Sequence, residues 1–116
     1  MWNSFEKRNF PRIQKECGIS VNETGQNEVF HSVTENIGLG GLCTNLSKPL
    51  EPFAEVRVKL ILKPNDQPFE CKAKVGWSIK HRDFDPKLVH YDVGLEFIDL
   101  SDENRARLES FLAESV

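Results

Sequence analysis

Period-two alternation through the middle of the chain constrains its fold more than any other feature. Val56, Val58, Leu60 and Leu62 fall on one side, and Glu55, Arg57, Lys59 and Lys63 on the other, with Ile61 the apolar exception. Successive side chains of a strand point to opposite faces, so this pattern is a strand with one dry and one wet face. Phe69, Cys71, Ala73, Val75, Trp77 and Ile79 then alternate with Glu70, Lys72, Lys74, Ser78 and Lys80. Between the two runs lies KPNDQP, residues 63–68. Its prolines cannot donate to a ladder and its Asn and Asp bond their own backbone, which makes it a turn. Residues 54–80 therefore read as one long hairpin. A third strand follows near 88–98, where Val89, Tyr91, Val93, Leu95 and Phe97 alternate with His90, Asp92, Gly94 and Glu96. Strands wetted on one face are usually antiparallel.

The upstream signal is weaker. Ile13, Cys17, Ile19 and Val21 are evenly spaced around Lys15, NETGQN (22–27) reads as a turn, and strands are expected at Val29–Thr34 and Leu42–Leu46. At the C-terminus the period changes. Ser101 suits a helix N-cap, with Asp102 and Glu103 in the first turn where the helix dipole favours acids. Leu108, Phe111 and Leu112 stack at helical spacing, so 102–114 reads as one amphipathic helix. Six strands and a terminal helix make a small antiparallel barrel or sandwich plugged by that helix. Val56, Val58, Leu60, Val75, Trp77, Val93, Leu95 and Phe97 are the expected core.

Composition narrows the class. The chain has 116 residues, 39% hydrophobic and 28% charged, which is one globular domain. No apolar run approaches the roughly 20 residues of a membrane span, and MWNSFEKRNF has neither the apolar stretch nor the cleavage site of a signal peptide. The expected setting is the cytoplasm, without membrane insertion. Cys17, Cys43 and Cys71 are an odd number without CxxC spacing, which argues against a disulfide framework or a zinc site. Net charge is −3, which disfavours DNA or RNA as partner. The charge is uneven: residues 1–15 carry +3 and residues 83–116 carry −6. A basic arm on an acidic domain suits a compact anion.

Nothing points to catalysis. There is no GxSxG, HExxH or P-loop, and His31, His81 and His90 lack metal-ligand spacing. The chain is not expected to be an enzyme or to hold a cofactor or metal. The cysteines read as buried, inert thiols. Two constellations carry chemistry. Arg8 and Arg12 bracket Asn9-Phe10-Pro11 as RxxxR, and the planar arginine fork gives phosphate two parallel charge-assisted hydrogen bonds. Asn36-Ile37-Gly38-Leu39-Gly40-Gly41-Leu42 lies between two expected strands. Its glycines permit positive φ and let a ligand approach the backbone.

In this order the two constellations resemble the PilZ domain family, whose members bind cyclic dimeric GMP. The family pairs RxxxR with [D/N]xSxxG. Arg8 and Arg12 match the first motif, and Asn36 and Gly41 the ends of the second; Gly38 stands where the family usually has serine. Val75-Gly76-Trp77 is similar to its V-x-W strand, and Gly94-Leu95-Glu96-Phe97 to its G-x-x-F strand. The resemblance implies a six-stranded antiparallel β-barrel with a C-terminal helix at one end, spanning residues 11–116. Residues 1–10 would be a flexible arm carrying part of RxxxR, ordered by ligand. It further implies a stand-alone receptor without catalysis, in which Arg8, Arg12, Asn36, Gly38, Gly40 and Gly41 hold cyclic dimeric GMP. The signal would pass to an effector protein of motility, pilus or exopolysaccharide machinery. The alternative is a degenerate PilZ-like domain that binds only protein.

Overall fold

The computed structural model describes residues 12–82 and 89–115, with the arm carrying Arg8 outside that range. The strands are β1 (Arg12–Ile13), β2 (Gly18–Glu23), β3 (Val29–Gly38), β4 (Gly41–Leu46), β5 (Glu55–Ile61), β6 (Phe69–Arg82) and β7 (Val89–Ile98), followed by helix α1 (Asp102–Glu114). Six of them run β3-β2-β5-β6-β7-β4, and β4 pairs back onto β3. Every pairing is antiparallel. The result is the expected closed six-stranded barrel, and closure removes the open sheet edges that invite aggregation.

The alternation is realised most fully in β5, where Val56, Val58 and Leu60 are buried and every second residue is exposed. These residues pack with Val21, Ile37, Leu42, Phe69, Val75, Val93 and Leu95 in one core, and Phe97 lies half-buried against it. The helix begins where the sequence indicates: Ser101 Oγ accepts from the Asn104 amide at 3.1 Å. Leu108 and Phe111 are buried and Leu112 is half-buried. Asn104 donates to the Glu70 carbonyl and Arg107 to the Gln67 carbonyl. The helix thus covers the barrel end at the β5–β6 turn.

Two expectations need correction. The even spacing of Ile13, Cys17, Ile19 and Val21 does not make one strand. The chain leaves β1 after Ile13 and rejoins the sheet at Gly18. The buried Thr34 hydroxyl fills the gap, donating to the Lys15 carbonyl at 2.6 Å and accepting from the Cys17 amide at 2.9 Å. Both segments thereby lie along the same edge of β3, β2 at its beginning and β1 at its end.

The second correction concerns Trp77. Val75 faces Leu95, but Trp77 faces Gly94, so Gly76 is an extra residue that shifts the register. A bulge of this kind reverses which face each later side chain takes. Trp77 therefore lies outside the barrel, half-buried, with its indole across Gly94; a Cβ on Gly94 would collide with the ring. Ile79 follows it outward and is 56% exposed. Ser78, expected outside, turns inward, where its hydroxyl is buried without a hydrogen-bond partner among the described residues.

This distinguishes two aromatic truncations. Phe69, 0% exposed in the core, should lose about 3–5 kcal/mol as Phe69→Ala, the usual cost of truncating a buried ring. Trp77→Ala should lose clearly less, about 1–2 kcal/mol, because only part of its apolar area leaves water. Equal losses in denaturant titrations would contradict the outward placement.

Candidate functional site

The expected binding residues converge on the outside of the barrel where β1, β3 and β4 meet. Arg12 faces Gly38 across β1 and β3. Its Nη1 donates to Asn36 Oδ1 at 3.1 Å. Asn36 faces Cys43, and Ile37 faces Leu42. The expected Gly-rich loop is therefore mostly strand. Asn36 to Gly38 end β3, Gly41 begins β4, and only Leu39 and Gly40 form the turn. A left-handed backbone is not what these glycines supply. Among the described glycines it is Gly25 that has positive φ, at 87°.

Gly41 has a different reason to lack a side chain. A Cβ there would collide with the backbone carbonyl of Leu95, because β4 and β7 approach closely at the Gly41–Glu96 pair. The Phe97 amide donates to the Gly40 carbonyl at 2.9 Å across the same junction. This glycine lets the two strands lie against each other and is itself buried.

The register sets out two outward rows. One runs from Arg12 through Gly38, the turn-flanking Gly41 and Glu96 to Lys74. The next runs Asn36, Cys43, Gly94, Trp77. Gly38, Gly41 and Gly94, all three buried, make a floor without side chains. Arg12 and Asn36 stand at one side, Glu96 at the other, and the Trp77 indole covers the Gly94 end. At about 4.8 Å per strand, Arg12 and Glu96 lie three strand spacings, roughly 14 Å, apart. Gly40 lies in the turn above the floor. Sequence reasoning placed Arg12, Asn36, Gly38, Gly40 and Gly41 here but missed Glu96 and Trp77. A glycine within a strand pattern, Gly94, was the available signal for a ring lying close on the backbone.

Further along, Asp92 is fixed from two sides. Asn45 Nδ2 donates to its Oδ1 at 2.6 Å, and His81 Nε2 lies 3.0 Å from its Oδ2. His81 stacks on His90 with ring centroids 5.3 Å apart. Cys43 Sγ donates to Glu35 Oε1 at 3.4 Å. Burial, reinforced by the bond to Glu35 and its negative charge, pushes the Cys43 thiol up to about 12. Burial alone pushes Cys71 to about 12, and it raises Cys17 despite the opposing Thr34 hydrogen bond. Among the described residues no group of three or more His, Cys, Asp or Glu is arranged to hold a metal. No described helix is long and apolar enough to cross a membrane.

The family model of the PilZ domain matches residues 6–114, and the chain belongs to the PilZ domain family. No curated protein matches it. Among solved structures, the PilZ domain of YcgR from Escherichia coli, determined with c-di-GMP, superposes with a TM-score of 0.73 at 16% identity, over 94% of each chain. The Bacillus subtilis inhibitor of motility MotI/DgrA gives 0.75 at 18% identity over 94% of this chain and 50% of its own. The c-di-GMP complex of K. pneumonia MrkH gives 0.76 at 16% identity over 93% of this chain and 52% of its own. The chain thus spans about half the length of MotI and MrkH. Likenesses at these identities establish the shared fold.

Two outcomes follow from the geometry. A thiol with its pKa raised to about 12 is protonated at pH 8, and the thiolate is the reactive form. Cys43 and Cys71 should therefore resist Ellman's reagent in the native protein at pH 8 and react only on denaturation. Thr34→Val removes the hydroxyl that bridges Lys15 and Cys17, and should cost about 1–3 kcal/mol by stranding buried backbone groups. Amide exchange should accelerate across residues 12–17 while α1 is unchanged.

Proposed function

We propose that this chain is a cyclic dimeric GMP receptor that passes the signal to a protein partner and performs no chemistry on its ligand. The observation that carries this reading is the Arg12–Asn36 hydrogen bond beside Gly38 and Gly41. It brings residues of both family motifs together beside a stretch of backbone without side chains. Arginine and asparagine there offer the charge-assisted and bidentate hydrogen bonds that phosphate and guanine O6/N7 accept. Arg8, four residues upstream and outside the described residues, would supply the second guanidinium. The barrel and helix form the support. Gly40 and Gly41 would lie beside the ligand, and the Trp77 indole offers an apolar wall to a base. Membership of the PilZ family supports the ligand class, and the c-di-GMP complexes of the YcgR and MrkH relatives agree with it. The setting is the cytoplasm. The partner belongs to motility, pilus or exopolysaccharide machinery, a reading supported by the likeness to MotI, an inhibitor of motility.

Gly38 favours one competing reading, in which the domain binds protein alone because the serine hydroxyl is missing. Titration calorimetry with cyclic dimeric GMP, with GMP as control, separates the two. Wild type should bind, more weakly with added salt because phosphate contacts are screened. Arg12→Ala should lose binding in practice. Gly38 is a strand residue and is not among the glycines with positive φ, so Gly38→Ser meets no left-handed backbone. It should tighten binding about tenfold to hundredfold, the worth of one hydrogen bond to a charged group. Absence of heat with wild type would leave the protein-only reading.

A further inference from the structure

We infer that Glu96 selects guanine at this site, by accepting hydrogen bonds from the base edge that Arg12 and Asn36 do not reach. The inference rests on the reading of the patch as a cyclic dimeric GMP site. Glu96 lies between buried Leu95 and half-buried Phe97 and points outward, exposed. It faces Gly41 on one side and Lys74 on the other. Gly41, its partner across β4 and β7, carries no side chain, and a Cβ there would meet the Leu95 carbonyl.

The other acids around the patch are committed. Both Asp92 oxygens have partners in Asn45 and His81, and Glu35 accepts from Cys43. The Glu96 carboxylate, by contrast, makes no hydrogen bond or ion pair among the described residues. An unpaired carboxylate beside a phosphate site is unfavourable unless it meets donors. Guanine provides them: O6 and N7 accept on one edge, while N1–H and the N2 amino group donate on another. An ionised carboxylate only accepts. A guanine held between Arg12 and Glu96, with O6 and N7 toward the Arg12 side, turns N1–H and N2–H2 toward Glu96. The 14 Å between the two Cα positions, about three strand spacings, leaves room for a purine and both side chains. Adenine has no N1–H and no N2 amino group, so the same carboxylate would meet a ring-nitrogen lone pair and reject it.

Calorimetry with two ligands tests this. Cyclic dimeric IMP keeps O6, N7 and N1–H but lacks the N2 amino group. Wild type should bind cyclic dimeric GMP about tenfold to hundredfold more tightly than cyclic dimeric IMP, one hydrogen bond to a charged acceptor. In Glu96→Gln, cyclic dimeric GMP should weaken and the ratio between the ligands should fall toward one. Thermal melts should match wild type, because the side chain is exposed and unpaired. An unchanged ratio in Glu96→Gln, or equal tightening of both ligands as expected of simple charge repulsion, would overturn the role of Glu96 and leave the receptor reading standing. Failure of wild type to bind cyclic dimeric GMP would remove both.

Discussion

One hydroxyl group decides where the first strand begins. Thr34 sits in β3 with no solvent exposure, and its Oγ1 serves a backbone carbonyl and a backbone amide from a neighbouring stretch that has left the ladder. Buried main-chain groups need partners, and a break in a strand normally strands several. With Thr34 in place the break is tolerated, β1 resumes on the same edge of β3 as β2, and Arg12 arrives opposite Gly38. The position of the arginine follows from that arrangement. A polar residue at the centre of an apolar barrel thus sets the geometry of the outer surface.

The middle of the chain was legible because a single physical rule governs it. Strict alternation fixed β5, most of β6 and β7, and the helix announced itself through its cap and the spacing of Leu108 and Phe111. The rule failed where one residue more or less changes every face that follows. Gly76 is such a residue, and nothing in the alternation of Phe69 to Ile79 marks it, since Trp77 and Ile79 are as apolar as the core positions before them. The same applies at Glu35, where the β3–β4 register slips between Thr34 and Asn36. Bulges are written in pairing, which a single strand does not contain.

For the site, Arg12, Asn36, Gly38, Gly40 and Gly41 could be named from their motifs, but their reasons could not. The glycines suggested a turn in need of left-handed backbone. The structure instead gives Gly41 the task of letting β4 lie against β7. Glu96 and Trp77 had no motif of their own; they border the patch because antiparallel pairing sets Glu96 beside Gly41 and Trp77 beside Gly94, residues distant in sequence.

The glycine floor has a consequence for how such a domain can change. Its glycines answer to the barrel: Gly41 to the β7 backbone, Gly94 to the indole above it. The residues at its border, Arg12, Asn36 and Glu96, lie outside the core cluster. On the proposed reading, stability and recognition are therefore held by separate sets of residues. Ligand preference can drift by exchange at the border while the sheet beneath is inherited intact, and a lineage can keep the fold long after its ligand has been exchanged for another.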